Sequence, residues 1–216
     1  MKIITMITLA LVGLSACCAQ TGQKQPAAQE RPLTLQSPLL KDEFELFTVQ
    51  EMGQPLAAHR YLLAKHDETE LKIQTAAEFA PLVREITSPA DALALVRLLT
   101  SQEIRPFLQD IFYSEVHKKS EPQAQAETTP EAQWFALEPE QYAQWGISEP
   151  VVTAEEESYK IERFVASYPR TQEQERTPAQ LLKIWEWVDT EGQYSMEIQE
   201  VIAEGPEVRK ILLFTK

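Results

Sequence analysis

LLKIWEWVDTEGQYSMEIQEVI, residues 181–202, is the stretch whose reading decides the fold. Leu181–Val188 and Gln193–Ile202 both alternate in strand fashion, because successive side chains of a strand leave opposite faces. Between them, Asp189-Thr-Glu-Gly-Gln is a hairpin turn signal. In the first strand Leu182, Ile184 and Val188 take one face, while Lys183, Trp185 and Trp187 take the other. In the second, Tyr194, Met196, Ile198 and Ile202 share a face, and Ser195, Glu197 and Gln199 share the opposite one. One face of the hairpin is thus aliphatic and belongs to a core. The other carries two tryptophans among polar neighbours.

Outward from this hairpin, Tyr159–Tyr168 and Val208–Phe214 alternate in the same way and predict two more strands. Nearer the start, Leu39–Val49 and His59–Ala64 read as strands. The polar turn His66-Asp-Glu-Thr69 follows, and Leu71–Thr75 returns with period 2, which completes a second hairpin. Consecutive hairpins make an antiparallel sheet with a face free for helices. The expected class is α+β, an antiparallel sheet built from hairpins with a few helices packed on one face.

The helices announce themselves by their ends. Ser88-Pro-Ala-Asp91 combines an N-cap, a proline at the first helical position and an acid in the first turn. Ala92, Leu95, Val96 and Leu99 then form an apolar stripe, so a helix is predicted over 89–99. Thr75-Ala-Ala-Glu78 fits a capping box. Pro81 clashes with continuation of that helix and predicts a kink, or a start near Pro81. Ile104–Val116 is apolar without a decisive period. Glu138–Gly146 predicts a short helix, with Pro139 at its start and Gly146 just past its end.

The first residues stand apart. Lys2 precedes a short apolar run, Ile3–Leu14, which falls short of the roughly 20 residues a membrane span requires. A charged start, an apolar centre and small residues at the end describe a secretion signal. Leu14-Ser15-Ala16-Cys17 resembles the lipobox of bacterial lipoproteins: an aliphatic residue, two small residues, then cysteine. That resemblance implies cleavage before Cys17 and lipid attached to its sulfur and new N-terminus. Several acyl chains on one residue give stable membrane anchoring. Cys18 follows where an aspartate would resemble an inner-membrane retention signal, which favours the outer membrane. The competing reading is plain secretion with cleavage after Ala19.

The organisation expected is a signal peptide over 1–16, a lipid-anchored disordered tether over 17–38 and a single domain over 39–216. The tether is rich in Gln, Ala, Pro and Thr. The polar stretch 118–131 reads as a loop that divides the domain into lobes 39–117 and 132–216.

Composition narrows the chemistry. The formal charge is −13, and losing residues 1–16 removes Lys2 and no acid, leaving −14. Nucleic-acid binding requires a basic stripe to neutralise phosphates, and the sequence shows none. Acidity fits solubility, a basic partner or weak cation binding. Cys17 and Cys18 are the only cysteines, so the domain has neither a disulfide nor a thiolate site. His59, His66 and His117 show no metal-ligand spacing. No motif calls for a cofactor or metal, and none for a catalytic residue. Glu155-Glu-Glu157 and Asp189–Glu191 offer oxygens to calcium or, more simply, make solvated surfaces.

Trp185 and Trp187 remain as candidate ligand-binding residues. Either the sheet is buried on both sides, or they form an aromatic platform for a sugar or a partner protein. The reading that follows is a non-enzymatic, lipid-anchored binding or scaffold protein of the bacterial cell envelope. Its partners would be the membrane, through the lipid on Cys17, and an envelope protein or cell-wall glycan. The alternatives are an envelope hydrolase with paired carboxylates acting on glycan or peptide, and an inhibitor or immunity-type protein that binds a basic partner.

Overall fold

The computed structural model describes residues 28–52, 58–118, 136–137, 139–167 and 179–205. The leader with Cys17, most of the polar loop 118–131 and the expected strand Val208–Phe214 lie outside them. In chain order the elements are β1 (Gln29–Pro32), β2 (Glu45–Met52), β3 (Ala58–His66), β4 (Thr69–Ile73), α1 (Ala76–Phe79), α2 (Pro89–Leu99), β5 (Tyr113–Glu115), β6 (His117–Lys118), β7 (Ala136–Leu137), α3 (Pro139–Trp145), β8 (Val151–Ala154), β9 (Ser158–Ser167), β10 (Gln180–Asp189) and β11 (Tyr194–Glu204).

Two antiparallel sheets with few helices make up the fold. The first runs β1-β2-β3-β4, and the second β11-β10-β9-β5 with β8 also paired to β9. β6 and β7 form a separate parallel pair. β1 lies within the stretch whose composition reads as a tether. It pairs with β2 from Gln29–Gln50 to Pro32–Phe47, and Leu33 and Leu35 pack on the core. Two leucines supply the burial that the surrounding polar residues lack, so order begins before Pro38.

The helix signals act as local chemistry dictates. The Ser88 side chain caps α2 by accepting from the Asp91 amide, with Pro89 in the first turn. Asp91 returns the bond, accepting from the hydroxyls of Thr87 and Ser88, which hold its carboxyl below the usual range. The Thr75–Glu78 capping box is complete. At Pro81 the chain tightens into a 3-10 turn over Ala80–Leu82 and leaves extended at Val83, so α1 is a single turn.

One hydrophobic cluster joins both sheets. It takes Leu46, Leu62 and Ile73 from the first sheet, Leu95 and Leu99 from α2, and Ile161 and Val188 from the second. The segment after Val83 ties these layers together: Arg84 bonds to Leu39, and the Ile86 amide to the Thr190 carbonyl in the β10–β11 turn. Gly192 sits in that turn at φ 81°, and a Cβ there would lie 3.1 Å from that of Val83. Only glycine meets both the backbone angle and the close approach.

Two expectations need correction. Helices cover both faces of the second sheet, not one. α2 lies on the face of Ile161 and Val188, whereas Tyr142 and Trp145 of α3 pack with Phe164, Ala166 and Leu181 on the other. Ile202 does not share a face with Ile198. The register shifts twice between β10 and β11, so Val201 rather than Ile202 lies opposite Leu182. Each shift inserts an unpaired residue and flips the parity that a count by twos assumes.

Leu95 is fully buried in this cluster. Leu95→Ala is expected to lower the unfolding free energy by about 2–5 kcal/mol, and Ser88→Ala by about 1 kcal/mol through the lost cap. Urea unfolding of the two variants measures both, and equal small effects would contradict the packing described.

Candidate functional site

The two tryptophans stand on the face of β10 that points away from α2, and both are half-buried. Register sets their neighbours. Trp185 lies between Glu162 of β9 and Glu197 of β11, and Trp187 between Lys160 and Ser195. The rings meet edge to face, with centroids 6.3 Å apart at 84°. The Lys160 ammonium lies 3.3 Å from the Trp185 centroid and 5.7 Å from that of Trp187, a cation over aromatic faces. Trp185 Nε1 donates to Glu162 Oε2 at 3.0 Å, and Lys183 Nζ is 2.9 Å from Glu162 Oε1. The bond from Lys183, seconded by that from Trp185, holds the Glu162 carboxyl below its usual range. Trp185 is therefore engaged on its ring and at its nitrogen, and Trp187 is the freer of the two. Val151, on the same face beside Glu162, is 52% exposed.

Behind this face lies a set of residues that the sequence reading passed over. Glu186 occupies the aliphatic side of β10, between Ile184 and Val188, and is fully buried. Arg163 faces it from β9 and is 1% exposed. The guanidinium makes a forked pair with Glu186, through Nε to Oε2 and through Nη2 to Oε1 at 3.0 Å. Tyr194 and Tyr113 donate their hydroxyls to the same Oε1, at 2.7 and 3.1 Å. On its other side Arg163 Nη1 lies 3.4 Å from Glu115 Oε2, and Arg97 of α2 closes the chain with two bonds to Glu115. Burial pushes the Glu186 carboxyl up, opposed by the Arg163 charge and its hydrogen bond. Burial likewise pushes the Tyr194 hydroxyl up. Two acids and two arginines alternate, so the row is neutral. The signal in the sequence was parity: a glutamate and an arginine each on the apolar side of a strand.

The remaining candidates do not converge. His59 is exposed on β3, and His66 Nδ1 lies 2.9 Å from the Glu43 carbonyl. His117 is placed on β6 by its backbone. Glu155–Glu157 form the exposed tip of the β8–β9 hairpin. Asp189 Oδ1 accepts from the amides of Glu191 and Gln193, so its carboxylate builds the turn. Among the described residues no group of three His, Cys, Asp or Glu could hold a metal ion. A concavity of about 490 Å³ near the first sheet is lined by Leu33, Leu35, Leu40, Phe44 and Leu46. On its rim Lys41 bonds the Pro81 carbonyl and Asp42 pairs with Arg84.

Comparison with known proteins gives no relative: no family model, no curated protein and no solved structure matches the chain.

Two outcomes test this geometry. Glu186→Gln leaves Arg163 buried against a neutral amide and should cost about 3–5 kcal/mol, while the paired change Arg163→Met with Glu186→Leu should recover part of that loss in the same denaturant titration. Glu162 has a depressed folded-state pKa, so its stabilisation is present above the ordinary glutamate value of about 4.3 and is lost as pH falls through the folded value. The Trp185 indole N–H resonance should therefore titrate with a midpoint below about 4.3; a midpoint above it would contradict the bond to Glu162.

Proposed function

We propose that this chain is a non-enzymatic, lipid-anchored binding or scaffold protein of the bacterial cell envelope, and that the Trp185–Trp187 face is its binding surface. The observation that carries this reading is a pair of half-buried tryptophans held on a sheet face, with a neutral buried ion network fixing the strand behind them. Partly exposed aromatic rings on a rigid support suit a binding surface, because little side-chain freedom is lost when a partner covers them. The lipobox resemblance at Leu14–Cys17 supports the anchor on Cys17 and a place at the outer membrane, facing the periplasm or the cell surface.

The hydrolase alternative needs two carboxylates that reach a substrate across a cleft. Glu115 and Glu186 are the buried acidic pair, and Arg163 lies between them with contacts to both. That arrangement favours a structural role for the pair, and hence the binding reading over the catalytic one.

Two measurements test the proposal. Cys17→Ser should abolish incorporation of a labelled fatty acid and release the protein from the membrane fraction; unchanged labelling would end the lipoprotein reading. With 5-fluorotryptophan in the full chain, soluble peptidoglycan fragments and a basic peptide are titrated as probes. A shift of the Trp187 fluorine resonance supports the surface, and Trp187→Phe should weaken that binding by about 3- to 30-fold, as expected for truncating an interface aromatic. No response of either tryptophan to either probe would overturn it.

A further inference from the structure

Resting on the reading of the tryptophan face as a binding surface, we infer that its occupant is a basic protein segment that lays an arginine or lysine on Trp187. β8 and β9 are joined at Glu155–Glu157, and β10 and β11 at the turn that starts from Asp189. Asp189 is the register partner of Ser158, so both turns project from the same end of the sheet. Trp187 lies two residues from that end, beside Lys160.

The acids at this end are open to solvent. Glu155, Glu156, Glu157 and Glu191 are exposed, as is Glu197 on the β11 side of the face. Among the described residues the cations on this face are fewer, Lys160 and Lys183, and both are committed. Lys183 is paired with Glu162, and Lys160 stacks over Trp185. Among the described residues, the tryptophan face is therefore bordered by more exposed acids than cations. An anionic sugar approaching Trp187 would meet that repulsion, whereas a cationic segment would be steered toward it. Lys160 also shows what these rings accept: the protein's own ammonium has settled on the Trp185 face. Trp187 has its nearest described cation 5.7 Å from the ring centroid, against 3.3 Å for Trp185, so it is the ring less engaged by the protein's own charge. Acid at the rim and an aromatic at the centre is a complementary surface for a basic partner, with the charge setting the encounter rate and the ring the residence time.

The test uses the full chain carrying 5-fluorotryptophan, with a nona-arginine peptide as probe and a neutral chitooligosaccharide beside it. The peptide is expected to shift the Trp187 resonance. Replacing the tip, Glu155→Gln with Glu156→Gln and Glu157→Gln, should weaken binding about tenfold through lost complementarity. A control triple on the other sheet, Glu43→Gln with Asp67→Asn and Glu68→Gln, should change it by less than about twofold, since distant charges are screened. Equal losses from the two triples would assign the binding to overall charge and overturn the inference. If the chitooligosaccharide moves Trp187 and the peptide does not, the basic partner is refuted while the binding surface stands. If neither probe moves it, both fall.

Discussion

The second sheet depends on one ion pair, Arg163 with Glu186, placed where the sequence otherwise puts aliphatic side chains. Removing either charge from water costs several kcal/mol, which their attraction offsets only when the remaining polar atoms are also satisfied. Here Glu186 Oε1 alone receives Tyr113, Tyr194 and Arg163, while Arg163 Nη1 has only the ion-pair contact to Glu115 at 3.4 Å and no hydrogen bond. The partners come from β5, β9, β10 and β11, with Arg97 adding α2. Four of the sheet's five strands thus contribute a group to it, β8 supplying only the apolar Val152 beside Ile161. The network therefore selects a single arrangement of these elements, since any other leaves a buried charge unmatched.

That selection reaches through the strand to its other face. Side chains alternate along β10, so fixing Glu186 inward fixes Trp185 and Trp187 outward. A slip by one residue would bury both indoles and expose the carboxylate, and the loss of the forked pair forbids it. The position of the candidate binding surface is thus a consequence of the buried charges behind it. Lys160 and Glu162 on β9 are set by the same rule, with Arg163 as the inward neighbour that orients them.

Much of this was legible in the sequence. The caps at Thr75 and Ser88, the stripe of α2 and the hairpins β3–β4 and β10–β11 follow from local rules, and the structure realises each one. What local rules miss is non-local. β1 and β8 are edge strands of four residues, largely exposed and too short to show a period of their own. The register shifts that turn Ile202 away from Ile198 arise from how β10 and β11 accommodate each other, and no residue type marks them. Glu186 was visible as an inward acid by parity alone. Only its pairing with Arg163, 23 residues away, turns that conflict into a stabilising feature.

The insertion of β5 beside β9 bears on how fast the protein can form. Tyr113 and Glu186 meet across 73 residues of chain. Contacts of such separation are costly to close, and their abundance slows folding. Without β10, the buried guanidinium on β9 has only Glu115 of β5 beside it and lacks the forked pair with Glu186. Helix α2 and the β3–β4 hairpin are built from contacts close in sequence, whereas the second sheet must bring Tyr113 to Glu186 before its buried charges are matched.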